Sequence, residues 1–204
     1  MEIVNHKEEV PFEHYVNLFR QLEPQEASAR TGAAFDGSAF AVVLAGVTYR
    51  ITWPEYSITS EKENAMALGY LPAQTFLLRW LLEGKAAPAE GQFLTFREMP
   101  WGELYIQPFT GRCLTRAAYT FATRLPAFCA AMEKLGAKKL RHGDASYELE
   151  LLPGYAMQII LWEADEEFPP NSQLLYSDNF AGSFAAEDRV VAGDLLISVV
   201  KGAM

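Results

Sequence analysis

Cysteine is scarce: Cys113 and Cys129 are the only two in 204 residues. Two thiols build no disulfide framework, and these are not spaced as metal-binding knuckles, so no iron–sulfur cluster is expected in this chain. Long apolar runs are missing too. No stretch approaches the ~18 consecutive apolar residues of a membrane span, and MEIVNHKEEV has neither the basic start nor the apolar run of a secretory signal. The expectation is a cytoplasmic protein with no membrane partner. Positive charge is short as well, with 17 Lys and Arg against 26 Asp and Glu and a net charge of −9. Neutralising a phosphate backbone needs the opposite balance, which argues against nucleic acid as a partner. The chain also lacks GxGxxG after a strand, GxxxxGK[ST], HExxH and the flanks of a nucleophile elbow around Gly182-Ser183, which removes several common enzyme classes.

What is present is apolar substance: half the residues are hydrophobic and 13% aromatic, enough to bury a core. No linker rich in Pro, Gly and Ser divides the sequence, so it reads as one domain, residues 1–204, with a helical N-terminal segment over 1–37. Phe12, Tyr15, Val16, Phe19 and Leu22 recur at helical steps and predict a helix over 8–30. SAFAVVL and VTYRITW flank Ala45-Gly46 as a hairpin, residues 54–71 read as irregular, and Pro72 opens a helix that Gly84 stops. QFLTFREM and ELYIQPF, joined at Pro100-Trp101-Gly102, read as a second hairpin. Thr115 begins a helix that Pro126 kinks or divides and Gly136 closes. SYELELL and YAMQIILW around Pro153-Gly154 make a third hairpin. A last helix starts at Ser183 or at Glu187 and Asp188, with Val191, Leu195 and Val199 inward. About three antiparallel hairpins with four to five helices make an α+β fold.

One feature stands out. From His142 through Asp188 there is no Lys or Arg, yet ten carboxylates occur. Glu148 and Glu150 alternate along a strand as a solvated face, and Glu187 and Asp188 suit a helix N-terminus. Glu163, Asp165, Glu166, Glu167 and Asp178 remain. Three arrangements account for such crowding: acids that splay into water or accept backbone amides, a brace from Arg97, Arg112 or Arg116, or a divalent cation held by Glu163, Asp165 and Asp178. The stretch lacks the glycine and spacing of an EF-hand loop.

Trp53, Trp101 and Trp162 each end a predicted strand. Were those ends to converge, they would line a pocket with Arg97, Glu98, Arg112 and Glu163 at its mouth, suited to a small molecule or cofactor. Cys113 and His142 form no defined nucleophile–base pair, Cys129 falls on the apolar face of its helix, and His6 and His14 suit surface roles. The sequence thus supports a binding domain, an Mg²⁺- or Ca²⁺-dependent hydrolase using the carboxylates between 163 and 178, or an acidic domain that docks on a basic protein partner.

FREMPWGELY, LGAKKLRHGDASYELELLPG, LWEADEEFPPNSQLLYSDNF and AAEDRVVAGDLL together resemble the bacterial and archaeal domain of unknown function numbered 3786, over about residues 38–200. The resemblance implies an uncharacterised cytoplasmic domain. Some longer members look to carry a cysteine-rich segment suited to an iron–sulfur cluster, which this chain does not have. Ala164 stands where the family more often has glycine, and Asp144, Glu187 and Asp188 match its motifs without a role to carry over.

Overall fold

The computed structural model describes residues 9–204, and the expectations for His6 and for the helix start at position 8 lie outside them. Where the sequence reads as one domain, the chain divides into two compact units at the Ala87/Pro88 junction, each with its own antiparallel sheet. The α+β class holds.

The first unit runs through α1 (Glu9–Phe19), α2 (Pro24–Thr31), β1 (Ala34–Phe35), β2 (Ala39–Leu44), β3 (Val47–Thr52), β4 (Ile58–Ser60), α3 (Met66–Gly69) and α4 (Leu71–Glu83). The single helix expected over 8–30 is two, because Pro24 restarts the chain in the first turn of α2 and the residue before a proline avoids helical angles. β2 and β3 form the expected hairpin, Leu44 opposite Val47. Its two-residue turn has φ of 47° at Ala45 and 74° at Gly46, the primed turn that matches strand twist. Phe40, Val42, Leu44, Tyr49 and Ile51 point into the core, while Ala41, Thr48 and Arg50 face water. β4 pairs with β3 inside the region expected to be irregular; three residues are too few to show a period. Phe76, Leu77, Leu78 and Leu81 of α4 are buried. Trp53 ends its strand as expected, and its Nε1–H donates to the Phe19 carbonyl at 3.1 Å.

The second unit, Pro88–Met204, begins with β5 (Phe93–Thr95), a 3₁₀ turn (Phe96–Glu98) and α5 (Gly102–Phe109). Here the expected hairpin is wrong: β5 pairs with β9 instead, and ELYIQPF is helical. The reason is local. Thr95 Oγ1 accepts the Glu98 N–H at 3.4 Å while Glu98 Oε2 accepts the Thr95 N–H at 2.7 Å, a reciprocal cap that ends the strand and starts the turn. A π-helical turn (Thr110–Thr115) joins α5 to α6 (Arg116–Phe121), so Thr115 lies inside a continuous helical path and starts nothing. After α7 (Leu125–Lys134) come β6 (Lys138–Lys139), β7 (Ala145–Leu152), β8 (Tyr155–Trp162), β9 (Asn171–Ser177), α8 (Phe180–Ser183) and α9 (Ala186–Ala203). Pro126 sits in the first turn of α7, dividing the helical segment as foreseen. The sheet order is β5-β9-β8-β7-β6.

α9 is buried on nearly every side, through Val190, Ala192, Gly193, Leu195, Leu196, Ile197 and Val200, with the expected Val191 and Val199 only half-buried. It packs against α5, the π turn, α6 and α7. Each large aliphatic chain so buried contributes about 1.5–3 kcal/mol. The Tyr176 hydroxyl of β9 donates to the Arg189 carbonyl at 2.8 Å, and the Cys113 thiol donates to the Val190 carbonyl at 3.4 Å. Phe96 and Phe109 stack at 4.2 Å beside Tyr176. Among the described residues no helix is long and apolar enough to cross a membrane.

At Gly193 α9 lies close against its neighbours: a Cβ there would lie 2.9 Å from both Cys113 Sγ and the Tyr176 hydroxyl. Gly193→Ala is expected to lower unfolding stability by about 1–3 kcal/mol despite alanine's better helix propensity, read from the urea midpoint.

Candidate functional site

The acidic stretch and the 140–144 loop meet where β8 ends and β9 begins. The His142 N–H donates to Ser146 Oγ at 2.9 Å, which turns the chain so that the Asp144 N–H reaches the Leu161 carbonyl at 2.9 Å. Gly143 makes this possible: its φ is 55°, and a Cβ would lie 2.5 Å from the Leu161 oxygen and 3.3 Å from the Trp162 ring. Asp144 Oδ2 then accepts the Glu163 N–H at 2.8 Å. Two residues on, Asp165 Oδ1 accepts the N–H groups of Glu167 and Phe168 at 2.8 and 2.7 Å, while its own N–H reaches the Phe168 carbonyl at 3.0 Å. The loop is therefore folded back on itself. Pro169 and Pro170 carry it into β9 with fixed φ.

Asp144, Trp162, Glu163, Asp165, Phe168, Pro169, Pro170 and Asn171 line an open cleft of about 730 Å³. Phe168 is 65% exposed, Trp162 half-buried. Asp144 and Asp165 spend their carboxylates on backbone amides, the first of the three arrangements anticipated. Among the described residues, Glu163, Glu166 and Glu167 are exposed and enter no ion pair. Aromatic faces beside unpaired carboxylates make a surface that attracts a cation with an apolar flank.

The arginine brace is not built. Arg112 and Arg116 both turn to Asp194 of α9, Arg112 at 3.6 Å, and Arg97 pairs with Glu103 at 3.2 Å. Glu98 serves the Thr95 cap, whose hydroxyl and N–H hold its carboxyl below the usual range. Trp101 sits before α5 with φ 63° and is 72% exposed. The expected pocket thus divides: Trp162 and Glu163 line the cleft, whereas Arg97, Glu98, Trp101 and Arg112 are not among its lining residues.

The expected cation trio does not converge either. Asp178 follows the far end of β9, roughly 20 Å of strand from Asn171. There it accepts the Glu90 N–H at 2.9 Å and the Gln92 N–H at 3.0 Å, bonds that hold its carboxyl below the ordinary value. Among the described residues no group of three or more His, Cys, Asp and Glu is placed to hold a metal ion. Cys113 is buried, its thiol pushed up to about 12 by that burial and by Asp194, which unsuits it as a nucleophile. Cys129 is half-buried rather than core. Asp144, Phe168 and the two prolines were missed as site residues; the signal available was Gly143-Asp144, a pair whose partners Leu161 and Glu163 lie 17 to 20 residues on.

A family model described as Domain of unknown function (DUF3786) matches residues 23–199. The chain belongs to this family. No curated protein and no solved structure matches the chain. The DUF3786 match takes in both loops of the cleft and all of α2 to β9.

The depressed Asp178 carboxyl stabilises the fold above its unfolded value of about 3.8, and that contribution is lost as pH falls below it. Asp178→Asn should therefore melt below the wild type at pH 7, with the gap closing as pH drops below about 4, in melting curves recorded across pH. Asp165→Ala removes the one oxygen that accepts two amides and should cost about 1 kcal/mol, with faster amide exchange at Glu167 and Phe168.

Proposed function

We propose that this DUF3786 chain is a binding module whose site is the cleft at the ends of β7, β8 and β9, and that it takes a small ligand carrying a positive charge beside a flat apolar face. The observation that carries this reading is that Glu163, whose carboxylate enters no ion pair, lines the same cleft as Trp162 and Phe168. The volume of about 730 Å³ falls within the range of small-molecule clefts. Cation–π attraction and the carboxylate act together on such a ligand, and both act at short range.

A second reading rests on a different observation. Glu166, Glu167 and Phe168 point outward from the folded-back loop. On that reading the loop docks on a basic segment of a protein partner.

Thermal shift and Trp162 emission on the intact chain separate the two. Benzamidine and arginine amide, both flat cations, are expected to raise the melting temperature more than spermidine, and Glu163→Gln to weaken them about three- to tenfold. No shift with any of these cations, or full affinity in Glu163→Gln, overturns the small-ligand reading. A Lys- and Arg-rich peptide that binds when the small cations do not, with an affinity falling steeply with salt, supports the second reading instead.

A further inference from the structure

Arg189, in the first turn of α9, is 1% exposed, the largest fully buried side chain among the described residues. Its guanidinium donates through Nη2 to the Pro100 carbonyl and stands over the Phe96 ring, 5.7 Å from the centroid. Nε and Nη1 are buried and meet no acceptor. A guanidinium offers five donors in a planar fork, and leaving several unsatisfied in a low-dielectric interior is costly. The group whose geometry matches that fork is an oxyanion, a carboxylate or a phosphate.

The one acceptor the guanidinium has belongs to a turn with features of a cover. Trp101 follows Pro100 in the left-handed region, at φ 63°, where bulky L residues rarely sit, and its indole stands mostly in water. Gly102 lies flat on the preceding segment, since a Cβ there would be 2.1 Å from the Phe96 carbonyl oxygen. Arg97, which follows Phe96 in the chain, is exposed and paired with the equally exposed Glu103. Lifting one carbonyl would open the Arg189 fork to an entering anion, with the exposed Arg97 and Trp101 on the segment that carries that carbonyl. Burial lowers the affinity of this guanidinium for its proton, and Tyr176 and Asp188 act against that shift.

We propose that the Pro100-Trp101-Gly102 turn covers a site for a small oxyanion, and that the buried Arg189 guanidinium is the group that recognises it. This site is separate from the cleft at Trp162 and takes charge of the opposite sign, so either can fail alone.

The test titrates the intact chain with inorganic phosphate and, separately, with succinate, each against sodium chloride at matched ionic strength. At ten times its Kd the bound anion should raise the melting temperature by about 3–5 °C beyond chloride. A shift in tryptophan emission should accompany it, lost in Trp101→Phe and kept in Trp162→Phe. Arg189→Met should abolish the anion response, and Arg97→Gln should weaken it about threefold. A response to phosphate alone assigns a phosphoryl ligand, and one to succinate a carboxylate. If neither anion exceeds chloride, water fills the orphan donors and the proposal falls; it falls equally if Arg189→Met responds like the wild type. Should that variant fail to fold, the wild-type titration and the Trp101→Phe emission decide the matter in the same way.

Discussion

The second unit is organised around α9, on which α5, the π turn, α6 and α7 pack and to which Tyr176 of β9 is bonded. A helix buried on nearly every side has no solvated face to orient it, so its position is set by a few close approaches. Gly193 is one of these, wedged against Cys113 and the Tyr176 hydroxyl. Tyr176 in turn bonds the Arg189 carbonyl, tying the strand to the helix near its start. Asp194, one residue beyond Gly193, draws both Arg112 and Arg116 inward. One stretch of α9 thereby engages the π turn, β9 and two of the arginines expected to brace the acidic loop.

That commitment explains the electrostatics of the unit. The arginines between 97 and 116 find carboxylates on α5 and α9, close to home, and none reaches residues 163–167. Asp144 and the acids between 163 and 167 are left to organise themselves. They do so through the backbone, since a carboxylate accepting amide protons orders a loop without a counter-charge. What remains after Asp144 and Asp165 are used is a concentrated negative field beside two aromatic rings and two prolines. Asp178, of the same acidic stretch, does the same service at the other end of β9.

Much of this was legible in the residues. The hairpins at Ala45-Gly46 and Pro153-Gly154 announce themselves through alternating strands around turn residues, and both are present. The misread segment is 93–109. Its apolar pattern suits a short strand as well as a short helix, and the deciding mark was the Thr95-x-x-Glu98 cap, a local signal that outranks a weak period. The two-unit division left no trace in composition, because a boundary requires only that few contacts cross it, not a linker of special residues.

The amino-acid sequence by itself determined the α+β class, the strongest hairpins, the helix ends at Gly84 and Gly136, and the family. These rest on interactions between near neighbours in the chain, which periodicity and turn chemistry express directly. Tertiary structure alone decided which strand β5 joins, that Asp144 reaches Glu163, that Asp178 parts from Glu163 and Asp165, and that Arg189 is sealed beneath Pro100. Each of those is a meeting across many residues. It is settled by how helices and sheet fill a common interior, a property of the packed whole that no short stretch of residues carries.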